Sequence, residues 1–190
     1  MKHFTKTLAF AILTTVSLQA SAQTQEEMKK WMDYSTPSDV HKMIAKSDGN
    51  WDEEITFWMA PGTPEQTMKS SCTNKMILGG RYQEATHIGD FGGMPFEGRG
   101  TLAYDNLTKK LITTWIDNMG TGLMYMEGTW DDATRSVTFK GKMVEPMAGK
   151  EINVKEVWKI VDDNTQEVDM YHEKDGQEFK TMHIKLTRKK

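Results

Sequence analysis

From Trp51 to the C-terminus the chain is cut at short intervals by turn-forming residues. They include Pro61-Gly62, Gly79-Gly80, Gly89-Asp90 with Gly92-Gly93, Asp105-Asn106, Gly120 with Gly122, Asp131-Asp132, Ala148-Gly149, Asp162-Asp163-Asn164 and Asp175-Gly176. Between them lie short runs in which apolar and polar residues alternate, and no run after Trp51 sustains a helical period. This texture specifies strands, and counting the runs gives about ten. So many consecutive strands with no crossover helices pair antiparallel. Each has one apolar face to bury, so the sheet must close on itself or fold into a sandwich. The expected fold is mainly β: an antiparallel up-and-down β-barrel of about ten strands, preceded by a short N-terminal helical segment.

Upstream of the strands the pattern changes twice. Lys2 and Lys6 precede an apolar run, Leu8 to Leu18, which is followed by Ala20-Ser21-Ala22. This is the layout of a secretory signal peptide, and the run falls well short of the roughly 20 residues a membrane-crossing helix needs. The expected organisation is a signal peptide over 1–22, a helical segment over 23–48 and a β-barrel domain over 49–190, with the product periplasmic or secreted. Met28, Trp31 and Met32 share one helical stripe. Thr36, Pro37 and Asp39 form a helix-start signal for a segment running to Lys46, ended by Asp48-Gly49. The single cysteine, Cys72, excludes an internal disulfide framework and any paired-cysteine zinc motif. A formal charge of −3 over 190 residues gives no basis for nucleic-acid binding.

Side-chain parity along each strand separates the two faces of the sheet. One face carries Ser70, Cys72 and Asn74, then Leu102 and Tyr104, then Val137, Phe139 and Met143. It continues with Ile152, Val154, Glu156, Trp158 and Ile160, then Val168, Met170 and His172. On the last strand it carries Lys180, Met182, Ile184, Leu186 and Arg188. Trp115 and Asp117 share a face, but the opposite face of that strand is equally apolar, so parity does not say which points in. The apolar face is interrupted by polar groups, which must pair with one another or face a wet cavity. Phe91 and Met94 sit in a Gly89–Pro95 segment that reads as a long hairpin loop able to act as a lid.

Several short stretches then carry a resemblance. Gly49-Asn50-Trp51, Gly79-Gly80-Arg81, Phe96 to Asp105, Trp115-Ile116-Asp117 with Gly120-Thr121-Gly122, and Met182 to Arg188 together resemble the family catalogued as domain of unknown function 1579. The resemblance implies a lipocalin-like barrel and supplies no activity. The chain is also similar to the wider calycin pattern, in which a tryptophan of the first strand packs against an arginine of the last. Gly49, Trp51 and Arg188 match those positions, which implies a structural role for them.

No local motif supplies a catalytic set, a metal centre or a cofactor site, so no cofactor is expected. The fifteen methionines are spread along the chain without the clustering a copper site requires. A haem ligand could be sought in His183, but parity turns that residue outward; His172 is the better oriented histidine. The expected function is non-enzymatic binding of a small, partly apolar ligand in a barrel cavity. Its expected lining is Cys72, Asn74, Tyr104, Trp115, Asp117, Glu156 and His172, with Glu156 and His172 on adjacent strands as a polar anchor. The alternatives are an enzyme that uses this Glu/His pair for acid–base chemistry, a haem-binding barrel, and a ligand-free structural or interaction protein. A small molecule is the expected partner, with neither nucleic acid nor a membrane span; oligomeric state is not legible.

Overall fold

Ten strands follow one another around a closed antiparallel barrel in the computed structural model, which describes residues 24–174 and 176–190. The expected secretory segment, 1–22, and Asp175 of the expected Asp175-Gly176 turn lie outside the described residues. The strands are β1 (Gly49–Phe57), β2 (Gln66–Ile77), β3 (Tyr82–Phe91), β4 (Met94–Asp105), β5 (Lys110–Asp117), β6 (Met124–Asp131), β7 (Ser136–Glu145), β8 (Lys150–Asp162), β9 (Thr165–Lys174) and β10 (Gln177–Arg188). Each pairs with its neighbours in sequence, and β10 returns to pair with β1 over Trp51–Phe57, which removes every free edge.

The described residues fall into two units, 24–36 and Pro37–Lys190. Within the first, helix α1 covers residues 24–35 and exposes Met28, Trp31 and Met32. Within the second, helix α2 (Asp39–Ala45) belongs with the barrel. It starts later than the Thr36-Pro37 signal suggests: Ser38 is the N-cap, and its backbone N–H donates to His41 Nδ1 at 3.0 Å.

Helix α2 plugs one end of the barrel. Ile44, 1% exposed, packs with Leu111, Met126, Val137, Phe139, Val154 and Trp158. Polar contacts fix the plug to the wall. Gln83 Nε2 donates to Ile44 O at 3.1 Å and to Asp48 Oδ1 at 2.7 Å, and Ser47 Oγ donates to Gln83 Oε1 at 3.0 Å. Trp51, fully buried, donates from Nε1 to Ser47 O at 2.9 Å. The Arg188 guanidinium lies 4.2 Å from the Trp51 ring centroid. Its nitrogens donate to the carbonyls of Lys46, Asp48 and Asp163 at 2.6, 2.6 and 3.0 Å. Gly49 adopts φ +126°, and a Cβ there would come within 2.9 Å of Arg188 Nη1. Thus the first strand, the last strand and the helix meet in one closure.

Two expectations change. A bulge between Lys180 and Met182 shifts the β9–β10 register. The extra residue, Thr181, puts Phe179 on the inward face and turns Lys180 outward, where its Nζ donates to Asp169 Oδ1 at 2.8 Å. Gly89–Pro95 is not a long loop either. β3 runs to Phe91 and β4 begins at Met94, so only Gly92 and Gly93 turn, with φ of +64° and +93°. Two consecutive positive-φ residues suit the tight turn whose twist matches antiparallel strands.

Arg188 offers a direct test of the closure. Arg188→Ala is expected to lower stability by about 2–3 kcal/mol in urea unfolding, and Arg188→Lys to restore less than half of that. An Arg188→Ala midpoint equal to the parent's would contradict this role.

Candidate functional site

The alternation that packs one end of the barrel also sends polar side chains into its interior. On β1, Glu53 shares the inward face with Trp51 and Ile55 and is 2% exposed. The β1–β2 register sets Ser70 opposite Glu53 and Cys72 opposite Trp51, and the β2–β3 register sets His87 opposite Cys72. These four side chains form a connected group. Ser70 Oγ donates to Glu53 Oε2. His87 Nδ1 lies 3.0 Å from Glu53 Oε1, and Nε2 lies 3.6 Å from Cys72 Sγ. Cys72 Sγ in turn donates to Asn74 Oδ1 at 3.1 Å. Burial first, and the Glu53 carboxylate second, push the Cys72 thiol well above its ordinary range, so it is a neutral thiol here.

Trp115 resolves the ambiguity on β5: it points inward, its ring edge-on to His87 with centroids 4.9 Å apart. The wall makes room for it at Gly98, where a Cβ would fall 2.4 Å from the indole. Asp117 shares that face, accepting from Trp115 Nε1 at 2.8 Å and from Met119 N–H at 2.9 Å. It is therefore both a partner of the indole and a cap for the following turn. Tyr104 sits on the inward face near α2, its ring edge-on to His41 at 5.7 Å.

β3 and β8 stand five strands apart in the ring of ten, on opposite walls. On β8, Glu156 lies between Phe139 of β7 and Met170 of β9 in the register. It is enclosed by neighbouring strands and is half-buried, with part of its surface still accessible. Among the described residues its carboxyl has neither a hydrogen-bond nor an ion-pair partner. Burial alone pushes it up to about 7 from the ordinary 4.5. His172 is paired with Val154, two residues along β8 from Glu156, and no hydrogen bond joins the two side chains. The anticipated Glu156–His172 anchor is therefore two separate groups on one wall. Burial lowers the His172 imidazole below its usual value, with Glu145 acting in the opposite sense. The His172 ring meets Phe179 edge-on at 6.1 Å. Phe179 also lines a recess of about 260 Å³ at the end of the barrel opposite α2, with Trp58, Ala60, Pro61, Gly62 and Lys180.

Sequence reasoning singled out Cys72, Asn74, Tyr104, Trp115, Asp117, Glu156 and His172, and all seven occupy the inward face. It passed over Glu53, Ser70 and His87 as a group. Glu53 was findable, since it shares the parity of Trp51. The Glu53–His87 contact was not, because His87 reaches Glu53 across β2 only in the observed register.

Comparison with known proteins agrees with this architecture. The structure of Rv2717c from M. tuberculosis is similar with a TM-score of 0.61 at 12% identity, covering 82% of this chain and 100% of that one. At that identity the likeness concerns the fold alone. A redesigned β-barrel aligns more distantly, with a TM-score of 0.42 and 13% identity over 77% of this chain and 95% of that one. No curated protein is similar to the chain in sequence. The model of the family described as protein of unknown function DUF1579 matches residues 36–188, from the start of α2's unit to the closing Arg188. The chain therefore belongs to the DUF1579 family.

Proposed function

We propose that the barrel is a container that binds one small, partly apolar molecule in its interior. The observation that carries this reading is the inward-facing Glu156 carboxyl, which keeps part of its surface open and has no hydrogen-bond or ion-pair partner among the described residues. A buried polar group without a partner costs on the order of 1–3 kcal/mol, so a fold retains one where something else completes its hydrogen bonds. Met170 and Phe139 beside it offer apolar contact, and His172 adds a second polar point on the same wall. Such a mixed lining suits a ligand with an apolar body and one polar group. Acid–base catalysis by a coupled Glu156–His172 pair is less well supported, because the two side chains are not in hydrogen-bond contact. Export remains part of the proposal through the charged, apolar and small-residue pattern of residues 1–22.

Three measurements follow from this reading. Native mass spectrometry of the protein purified from its own host is expected to show a co-purifying small molecule. Glu156→Gln is expected to reduce its occupancy about tenfold. A ligand-free parent protein across repeated preparations would overturn the container reading.

The second concerns pH. The folded state keeps the Glu156 proton up to about pH 7, whereas the unfolded chain releases it near 4.5. Stability contributed by this proton is full below the lower value and is lost as pH rises through the upper one. Glu156→Gln should therefore gain stability relative to the parent between pH 5 and pH 8, by up to about 3 kcal/mol. Parallel urea-midpoint profiles for the two proteins would contradict the assignment.

The third concerns processing. The exported protein, sequenced from its N-terminus, is expected to begin at Gln23; retention of Met1 in the mature protein would remove export from the proposal.

A further inference from the structure

The geometry points to a second site: Glu53, Cys72 and His87 form a binding site for a divalent, borderline-soft transition-metal ion of the zinc class. Each of the three side chains presents one donor atom, and these atoms lie within 4.8 Å of one another. Thiolate, imidazole and carboxylate together are the ligand types that zinc takes, at about 2.0–2.3 Å from the metal. His87 turns Nε2 toward Cys72 Sγ at 3.6 Å and Nδ1 toward Glu53 Oε1 at 3.0 Å, so whichever ring nitrogen an ion takes, the contact made by that nitrogen gives way to it.

The surroundings are those of a prepared site. Ser70 Oγ donates to Glu53 Oε2, and His87 Nδ1 lies 3.0 and 3.2 Å from the two Glu53 oxygens. The Trp115 edge meets the imidazole, and the Cys72 S–H bond to Asn74 Oδ1 is given up with the proton when an ion binds, whereas the Ser70–Glu53 bond stays. Hydrogen bonds of this kind orient ligands and are felt in affinity when they are removed. An ion that binds here displaces the Cys72 proton, and its two positive charges then offset those of the thiolate and the Glu53 carboxylate.

The same residues also occur in the order nucleophile, base and orienter. Cys72 is only 2% exposed, however, and Trp51 and Leu186 pack against it, so no carbonyl substrate has room to approach the sulfur. A metal ion needs far less space, and His87 keeps 16% of its side chain exposed.

The test uses the full chain, reduced and handled without oxygen, titrated with Co²⁺ and separately loaded with Zn²⁺. We expect one Co²⁺ per chain, with a thiolate-to-cobalt charge-transfer band and the visible bands of a tetrahedral ion. Zinc-edge X-ray absorption should give one sulfur at about 2.3 Å with nitrogen and oxygen at about 2.0–2.1 Å. Cys72→Ser should abolish the charge-transfer band, His87→Gln should abolish tight retention, and Ser70→Ala should weaken binding about tenfold by loosening Glu53. Circular dichroism and urea midpoints of each variant separate loss of the site from loss of the fold. If Cys72→Ser does not fold, Ser70→Ala and His87→Gln carry the test. A folded parent protein that shows no thiolate band with Co²⁺ overturns the site. So does Zn²⁺ retention that is unchanged in a folded His87→Gln variant.

Discussion

Closure of the hydrogen-bonded ring between β1 and β10 is the constraint on which everything else depends. Once Trp51 pairs with Arg188 and Phe57 with Met182, no strand has a free edge, and the inward residues of all ten strands share one interior. The closure is reinforced where it is weakest, at the junction of chain ends. Arg188 covers Trp51 and binds three carbonyls, while α2 fills the opening beneath them. Because backbone pairing satisfies the wall, side chains alone decide how much of the interior is filled.

They fill it unevenly. Around α2 the interior is apolar and tight: Ile44, Leu111, Met126, Val137 and Phe139 are each about 1% exposed or less. Elsewhere the inward face carries Glu53, Ser70, Cys72, Asn74 and His87 on one side and Glu156 and His172 on the other. The two polar groups differ in kind. The first is knit together by short contacts among its own members. Glu156 has no such partner among the described residues and keeps part of its surface open. A barrel selected for packing alone would place Leu or Met at position 156.

Most of the architecture was legible because a strand has a period of two and a turn has its own chemistry. Alternation put Cys72, Val137, Phe139, Val154 and Trp158 on the buried face, where they are found. Alternation fails wherever a residue is inserted, and nothing in the run from Lys180 to Met182 signals the bulge that turns Lys180 outward. It is also silent where both faces are apolar, as on β5; there Trp115 is turned inward by its contacts with Gly98 and His87, which are distant in sequence. Relations between strands were the least legible of all. That Glu156 and His172 are offset by two residues, and that His87 reaches Glu53, are consequences of register and belong to no single segment.

If the barrel is a container, the space beside Glu156 is a hollow inside a closed wall. A high-resolution crystal structure of the protein measures it most directly, through the density within hydrogen-bond distance of the Glu156 carboxyl. A container holds ordered solvent or a bound molecule there, with no protein side chain in contact. A carboxyl paired to a protein donor, in an interior closed by neighbouring methionine and aromatic side chains, would contradict it.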